Sequence, residues 1–474
     1  NISSEYKKNN DFVNMNDFNS LHQTQESIMK TKGANHIIIL VKNQTGLKNL
    51  YKLVSIAHLN YSHYTPKIPR QKLIELRTGL ILGGACEQGE IFNSILKKKS
   101  KSRTMEILRF YDYAELMPVE NNKFLKTFNI SGIESEDDIR NLNKTLFELC
   151  KQTDKIVVAT CDAHFLNPEE GIFRMAIQHY IGMKEKRDIT NLCFKTTDEL
   201  LNEFNYLGDV SAKEIVIDNP KKISGMIDEV KPVPDGFYFP QIENADKILS
   251  DTVYKKAYNI YGNPLPEIVN QRLEKELTAI IKNQFSNLYI LAHKIVKKSN
   301  DDGIIVGSRG SVGSSFVAFL AGITDVNSLP PHYVCPKCRK SEFDVPKEFL
   351  VGVDLPDKIC SECSVKMIKD GYDIFFEVFL GFKGEKVPDI DLNFPGYYQP
   401  VIHKYVEELF GKENVFRAGT ISTVSAGIAN MITDKFVDER KLNWSSAEKA
   451  RVAAGCLGVK KTTGQHPGGL IIVP

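Results

Sequence analysis

Two Cys-x-x-Cys pairs constrain the fold of this chain more than any other feature. Cys335 and Cys338 form the first pair, Cys360 and Cys363 form the second, and 21 residues separate the two pairs. Four thiolates at this spacing close a tetrahedral zinc site with no open position, so we expect a structural metal. The alternatives are accidental pairing and redox use of the thiols. The spacing therefore predicts a zinc-binding insert within a larger protein.

Composition and chain length limit the class of protein. The 474 residues carry a formal net charge of +2 and nine cysteines, five of them scattered outside the two pairs. The length suits about three domains, and scattered cysteines argue against a disulfide framework. No early segment has the features of a secretory signal, and no apolar run is long enough to span a bilayer. We expect a cytoplasmic protein without a membrane partner, excised from a longer chain because its first residue is Asn1.

The first half of the chain alternates short apolar runs with amphipathic segments. The runs 37–41, 80–82 and 156–159 are typical of buried strands, and helical segments separate them. This alternation predicts an α/β domain. The Pro- and Gly-containing stretch 231–236 marks its boundary.

A more helical region follows this boundary. Residues 257–299 have helical periodicity, including the charged amphipathic run 271–282. Residues 329–371 interrupt the region with the cysteine-bearing insert. Beyond Asp391 the pattern indicates helices again, around the only tryptophan, Trp444.

Two aspartates that flank one apolar residue are the strongest candidates for catalysis. Asp389 and Asp391 lie in the motif Pro388–Phe394, which the pattern predicts to be extended. Because side chains alternate along a strand, both carboxylates should point the same way. Such a pair repels itself unless cations intervene, and two Mg²⁺ ions suit it because they stabilise the attacking and leaving oxygens of phosphoryl transfer. Alone, however, an Asp-x-Asp motif is more often an exposed turn or cap.

A Gly/Ser-rich segment precedes the aspartates by about eighty residues. The apolar run 304–306 predicts a strand that leads into a turn and then into an apolar helix. Backbone N–H groups, the helix N-terminus, hydroxyls and an arginine fork make a cradle suited to a triphosphate. Its candidate contacts are Gly307, Ser308, Arg309, Gly310, Ser311, Gly313, Ser314 and Ser315. The segment fits neither the Walker nor the dinucleotide pattern, and the alternative is a flexible linker.

A second metal site is a hypothesis for the first domain. His36 begins a predicted strand, Cys86 follows a small-residue turn, and Asp162 and His164 follow the strand that ends at Ala159. Parallel sheets and barrels collect such residues at one rim. Packing is the alternative for each residue taken singly.

Several motifs occur in an order that closely resembles the PolC family of bacterial DNA polymerase III alpha subunits. They are the Gly/Ser segment, the sequence His-Tyr-Val-Cys-Pro-Lys-Cys from His332, Gly-Phe-Lys-Gly from Gly381, the Asp-x-Asp motif, and Thr-Thr-Gly-Gln-His-Pro-Gly-Gly from Thr462. Residues 42–50 resemble the PHP domain of the same family. The likeness extends over nearly the whole chain from about residue 34. The cysteine pairs favour the PolC branch over the related DnaE branch, which lacks them.

The resemblance implies a multidomain α/β fold. The C-terminal portion of a β/α barrel-like PHP domain would occupy residues 1–235. A palm of the nucleotidyltransferase beta-like type would occupy 236–419 and contain the zinc-binding insert 330–371. A small helical thumb would follow over 420–455. Residues 456–474 would return to the palm at the start of the fingers.

The resemblance also implies a replicative DNA-directed DNA polymerase that transfers nucleotides from dNTPs to a primer 3′-hydroxyl. Asp389 and Asp391 would hold two Mg²⁺ ions, and the Gly/Ser segment would bind the triphosphate. Lys461, Gln465 and His466 would be candidates for contact with DNA or nucleotide. The metal ligands of the PHP domain would include His36, Cys86, Asp162 and His164, and they would hold Zn²⁺ or Mn²⁺. The implied partners are primer–template DNA, dNTPs, the sliding clamp and the clamp-loader subunits.

The chain departs from the family pattern in two respects. The family's third palm carboxylate follows the segment 465–469, and the sequence stops at Pro474 before it. The His-x-His pair that opens the PHP domain and the 3′–5′ exonuclease inserted in that domain are also missing, so we expect this chain to be inactive alone. Two rival hypotheses are a PHP-type metal-dependent phosphoesterase and a non-catalytic zinc-ribbon DNA-binding module.

Overall fold

The chain divides into two compact units. The computed structural model describes residues 34–63, 65–183, 192–236, 238–381 and 386–473, with the backbone of Ile2–Ser3. The first unit comprises Asn1–Asp235 and Thr423–Lys461, and the second comprises Gly236–Ser422 and Thr462–Pro474. The helices that we expected in a thumb over 420–455 therefore group with the first unit. None of the described helices combines the length and apolar character needed to cross a membrane.

The secondary structure consists of short strands and mostly short helices. The strands are β1 (Ile2–Ser3), β2 (Ala34–Asn35), β3 (Ile38–Val41), β4 (Ser62–His63), β5 (Thr65–Pro66), β6 (Leu80–Gly83), β7 (Tyr113–Leu116), β8 (Ile156–Ala159), β9 (Gly307–Arg309), β10 (His332–Val334), β11 (Ser341–Glu342), β12 (Ile368–Asp370), β13 (Asp391–Asn393), β14 (Val415–Thr423) and β15 (Lys460–Ile472). The helices are α1 (Gln44–Asn60), α2 (Arg70–Glu75), α3 (Glu90–Leu96), α4 (Lys101–Phe110), α5 (Lys123–Thr127), α6 (Glu136–Gln152), α7 (Gly171–Tyr180), α8 (Thr197–Glu203), α9 (Asp209–Lys213), α10 (Asn219–Ser224), α11 (Ala245–Tyr261), α12 (Glu267–Lys282), α13 (Ser286–Asp301), α14 (Phe316–Leu320), α15 (Glu377–Leu380), α16 (Gln399–Phe410), α17 (Ala426–Glu439) and α18 (Ser446–Cys456).

A four-stranded sheet with the order β3-β6-β7-β8 organises the first unit. Strands β6, β7 and β8 are parallel, whereas β3 is antiparallel to β6. The three predicted strands are therefore confirmed, but the sheet is mixed and contains a fourth strand, β7, that the sequence analysis missed. In the described residues this sheet is open, because β3 and β8 are its two edges.

Both faces of this sheet are covered, which explains why β3, β6 and β8 are apolar along their length. Leu82, Ala114 and Val157 pack with helical residues on one face, whereas their sequence neighbours Tyr113 and Val158 pack on the other. Successive residues of a strand point to opposite faces, so a strand buried on both sides has no polar alternation.

Helices α7, α17 and α18 form a separate apolar cluster in the first unit. Ala176 packs with Ile432, Phe436 and Val452, and the partly buried Trp444 joins them from the connection between α17 and α18. Helices α17 and α18 agree with the helical pattern predicted beyond Asp391.

The second unit is built on helices α11 to α13, as the pattern over 257–299 predicted. Val253, Leu273 and Ile290 are completely buried in their common core, together with Phe316 of α14 and Phe379 of α15. This core supports two smaller substructures. One is the three-stranded sheet β11-β10-β12 of the cysteine-bearing insert, and the other is the antiparallel pair β9 and β13.

The strands of the second half of the chain differ from the sequence prediction in two places. The apolar run 304–306 forms no strand, and its Ile305 is 86% exposed. The strand begins at Gly307 instead, because the backbone of Asp391–Asn393 supplies hydrogen-bonding partners there. Beyond Asp391 the predicted helices are present, but β14 and β15 also form a two-stranded sheet that the sequence analysis did not predict.

Candidate active site

The antiparallel pair β9 and β13 brings the Gly/Ser segment to the Asp-x-Asp motif. Asp391 is paired in register with Arg309, Leu392 with Ser308, and Asn393 with Gly307. The Arg309 guanidinium donates a hydrogen bond to Asp391 Oδ2 at 2.9 Å. A cation and a carboxylate that were 82 positions apart in the sequence therefore share one end of a small sheet.

Both aspartates are accessible. The Asp391 side chain is 44% exposed, and Asp389 is exposed two residues before the strand begins. Only Asp391 belongs to the strand, so the prediction that the two carboxylates share a face remains a prediction. Three of the four residues of the neighbouring Gly-Phe-Lys-Gly motif, 382–384, lie outside the described residues.

The Gly/Ser segment has an exposed half and a buried half. Gly307, Arg309 and Gly310 are exposed, and Gly310 has a φ of +81°, a conformation that glycine adopts without strain. Ser314 and Ser315 are buried, and the Ser314 hydroxyl donates to the Ser311 carbonyl at 2.6 Å. Only the first half is therefore available to a ligand in this conformation.

The N-terminus of helix α14 is already engaged by protein groups. The amides of Phe316 and Val317 each donate to the buried Glu276 carboxylate at 3.0 Å, and the Ala318 amide donates to Ser315 Oγ at 3.1 Å. These N–H groups are the ones that an anion at a helix N-terminus would use. The expected contribution of this helix to a phosphate cradle has no support in this arrangement.

The predicted contacts Lys461, Gln465 and His466 are all exposed on strand β15. The His466 ring accepts a hydrogen bond from the Gly468 amide at 3.1 Å through Nδ1. Neither β14 nor β15 contains an acidic residue. Their charge thus suits contact with a polyanion, although a contact itself remains a prediction.

The four cysteines of the insert come together. Their sulfur atoms all lie within 4.8 Å of one another, and those of Cys338 and Cys360 are 3.6 Å apart. That distance is too long for a disulfide and close to the edge of about 3.8 Å expected for a zinc–sulfur tetrahedron with bonds of about 2.3 Å. The Cys338 amide also points at Cys335 Sγ, at 3.5 Å, which favours the thiolate. The group fits one tetrahedral metal ion.

Three of the four candidate metal ligands of the first unit line one pocket, and the fourth lies outside it. His36, Cys86 and Asp162 line a pocket of about 420 Å³, with Cys86 Sγ 3.5 Å from His36 Nδ1. His164 does not line this pocket, but its Nε2 lies 3.2 Å from Asp162 Oδ1. Among the described residues only the four cysteines form a group of three or more ligands at metal-binding distances.

Glu115 is a residue of this pocket that the sequence analysis missed. It lies on β7, is buried, and accepts a hydrogen bond from Thr160 Oγ1 at 3.1 Å. Burial raises the pKa of its carboxyl, while hydrogen bonds from Thr160 and Tyr113 act in the opposite direction. A carboxylate in the middle of an otherwise apolar strand was the available signal, because such a group is costly to bury without a role.

Comparisons with known proteins extend these observations. Residues 247–439 match the family model described as the bacterial DNA polymerase III alpha NTPase domain, and residues 11–124 match the PHP domain model. The chain is 49% identical to a PolC-type DNA polymerase III of Clostridium perfringens over 475 aligned residues. Proteins of the same description from Caldanaerobacter subterraneus and Bacillus subtilis are 48% and 46% identical, over 97% and 93% of the chain. The chain spans about a third of the length of these relatives, namely 33%, 33% and 30%.

Proposed function

Along its whole length the chain is homologous to PolC-type DNA polymerase III, and we propose that it supplies part of the active site of a replicative, template-directed DNA polymerase. The observation that carries this proposal is the register that pairs Arg309 with Asp391. It joins the exposed half of a Gly/Ser segment to a carboxylate motif. Nucleotidyl transfer needs such a combination, because triphosphate and metal ions must be held side by side.

In this proposal the carboxylates of Asp389 and Asp391 hold two Mg²⁺ ions. Accessible carboxylate oxygens are the donors that Mg²⁺ prefers, so the residues fit the ion. When bound, the ions would neutralise charge on the attacking and leaving oxygens. Arg309 forks onto phosphate oxygens, and the backbone of Gly307–Ser311 lies against them. Ser314 and Ser315 are buried, so they make no phosphate contact in this proposal.

The domain assignments are part of the same proposal. Residues 1–235 form the C-terminal portion of a β/α barrel-like PHP domain, residues 236–419 form the palm, and 420–455 form the thumb. The cysteine cluster holds a structural Zn²⁺, and its closed ligand set argues against a catalytic role. Lys461, Gln465 and His466 contact DNA or nucleotide from the exposed strand β15.

For the whole protein we propose the substrates primer–template DNA and dNTPs, with the sliding clamp and clamp loader as partners and the cytoplasm as location. These proposals rest on homology to proteins described as PolC-type DNA polymerase III.

A second candidate function is phosphoester hydrolysis in the first unit. Its supporting observation is the pocket that gathers His36, Cys86, Glu115 and Asp162. Imidazole, thiolate and carboxylate groups together suit zinc or manganese, which activate water in phosphoesterases.

One experiment separates the two functions in the full-length protein. Mg²⁺-dependent primer extension and hydrolysis of a simple phosphodiester are measured for wild type, Asp391→Asn and His36→Ala. We expect Asp391→Asn to remove extension alone and His36→Ala to affect hydrolysis alone. Full extension by Asp391→Asn would contradict the polymerase assignment.

A further inference from the structure

A fully buried carboxylate lies behind the Gly/Ser segment. Glu276 is on helix α12, and none of its side chain is exposed. Besides the amides of Phe316 and Val317, its carboxylate accepts a hydrogen bond from Ser315 Oγ at 2.9 Å. Three consecutive residues at the end of the Gly/Ser segment are thus held by one side chain from another helix.

Arg272 balances this charge and adds further connections. One turn earlier on the same helix, it forms an ion pair with Glu276 through Nε. Its Nη2 lies 2.8 Å from the Ser314 carbonyl oxygen, 2.9 Å from that of Ile374, and 3.2 Å from Ser328 Oγ. The pair therefore ties α12 to the Gly/Ser segment and to the chain that leads towards the aspartates.

Burial makes these groups sensitive to the loss of either partner. Loss of hydration raises the pKa of the Glu276 carboxyl, while Arg272 and the amides of Val317 and Phe316 act in the opposite direction. Replacing a buried ion pair by well-packed apolar residues is often neutral or stabilising, so stability alone does not explain this pair. In some proteins such pairs fix one conformation. Here the fixed conformation belongs to the segment that carries Arg309.

We infer that Glu276 and Arg272 are positioning residues for the nucleotide-binding segment, which they hold in the register that sets Arg309 opposite Asp391. The inference rests on the polymerase function proposed above. Glu276 fills the N-terminus of α14 as an internal anion, which leaves phosphate binding to residues 307–311, of which Gly307, Arg309 and Gly310 are exposed. Neither residue touches the substrate. Both act through Arg309.

The test uses the full-length polymerase and its steady-state kinetics for a single dNTP. Glu276→Gln keeps the size of the side chain but removes its charge, and Arg272→Lys keeps the charge but cannot reach all three oxygen partners. Lys275→Met is the matched control, because Lys275 lies on the same helix, is 58% exposed, and forms an ion pair with the partly exposed Glu377 at 2.5 Å. Melting temperature is measured for every variant.

We expect Glu276→Gln and Arg272→Lys to lower kcat/KM for dNTP by about 100-fold, the loss typical of a misplacement of about 1 Å. The control should stay within about twofold of wild type, as expected for an exposed ion pair. If Glu276→Gln fails to fold, Arg272→Lys carries the test. Each substitution is also made in an Arg309→Ala background, where a residue that acts through Arg309 should cause little additional loss.

Equal losses in both backgrounds would overturn the inference, because they would indicate a general effect on the fold. So would losses no larger than that of the control. The proposed function fails in a different way, through absence of Mg²⁺-dependent incorporation by the wild-type protein, and the positioning role would fall with it.

Discussion

Arg309 and Asp391 occupy directly paired positions of two antiparallel strands, and the Arg309 guanidinium donates to Asp391 Oδ2 at 2.9 Å. The side chains are 70% and 44% exposed. An ion pair this exposed contributes at most about 1 kcal/mol to stability. The pair therefore matters mainly for chemistry, since it places a candidate phosphate-binding cation beside a candidate metal ligand.

Loss of either aspartate should abolish nucleotide incorporation. We expect Asp389→Asn and Asp391→Asn, made separately in the full-length protein, to lower kcat by about 1,000-fold or more, because neutral amides bind Mg²⁺ poorly and stabilise less charge. Single-turnover incorporation measures the effect. DNA binding, measured by fluorescence anisotropy, should change little.

Asp344→Asn is the charge-matched control for these variants, because Asp344 is exposed in the cysteine-bearing insert. It should leave incorporation unchanged. Wild-type rates in Asp389→Asn or Asp391→Asn would refute the metal-ligand assignment for that residue.

Binding of dNTP should depend on the planar shape of the Arg309 guanidinium as well as on its charge. Lysine cannot form the two parallel hydrogen bonds that guanidinium makes to phosphate. We expect Arg309→Lys to raise KM for dNTP by about tenfold and Arg309→Ala by more, because a charge-assisted hydrogen bond contributes about 1.5–3 kcal/mol. Both variants should keep the wild-type melting temperature. Unchanged KM values in both would separate Arg309 from nucleotide binding.

Local features were predictable from the sequence, and long-range pairings were not. The cysteine cluster was predicted because each Cys-x-x-Cys pair fixes its own geometry within four residues. The register that joins Arg309 to Asp391 was not predictable, since it depends on hydrogen bonds between segments distant in sequence. The strand shift from 304–306 to Gly307–Arg309 has the same origin, because the partner strand decides which residues pair.

Residues with conflicting local signals were also missed. Glu115 made the run Tyr113–Leu116 less apolar, although its carboxylate is buried in a pocket. Glycine and proline in Lys460–Ile472 argued against a strand, because both residues are unfavourable in sheets. The role of Glu276 was hidden for another reason. Its position in an amphipathic helix resembles any solvated charge until the burial is known.

Zinc should stabilise the second unit through the four cysteines. We expect fresh protein to contain one tightly bound zinc ion in this cluster, and Cys338→Ser to lower its affinity because one thiolate is lost. Chelation should lower the melting temperature of wild type and leave that of Cys338→Ser nearly unchanged. Elemental analysis and thermal unfolding give the two readouts.

Cys193→Ser is the control, because Cys193 lies in the first unit and outside the cluster. It should respond to chelation as wild type does. An equal response of Cys338→Ser and wild type would count against the zinc site.

His332 should make the second unit less stable in acid. Burial lowers the pKa of its imidazole, while the Pro330 carbonyl and Asp370 act in the opposite direction. The unfolded chain therefore binds a proton near pH 6.5 that the folded protein takes up only at lower pH, so stability falls as pH drops below about 6.5, by up to about 1.4 kcal/mol per pH unit.

Thermal unfolding of wild type and His332→Asn from pH 7.5 to 5 tests whether His332 causes this loss of stability in acid. The variant should be less stable at pH 7.5, since it loses the contact with Tyr261 Oη at 3.2 Å, but its melting temperature should fall less on acidification. Comparing the two proteins cancels the effect of cysteine protonation on metal binding. Parallel curves of melting temperature against pH for the two proteins would contradict the role of His332. His58→Asn is the control, because His58 is exposed, and its curve should follow that of wild type.

The pocket of the first unit should bind a metal ion more weakly than the cysteine cluster does. His36, Cys86, Glu115 and Asp162 offer a mixed ligand set there, but no three of them lie at mutual metal-binding distances in the described residues. Binding must then include a rearrangement of the side chains, which lowers affinity.

We expect Zn²⁺ or Mn²⁺ titrated into the zinc-loaded protein to bind a second site that chelators empty first. Cys86→Ser and Glu115→Gln should each weaken this second site by about 10-fold or more, since even the loss of a group that hydrogen-bonds a ligand costs that much, without changing the zinc that copurifies. His58→Asn should have no effect, because His58 is exposed away from the pocket lining. A second site as tight as the first, or one indifferent to both variants, would show that these residues do not form it.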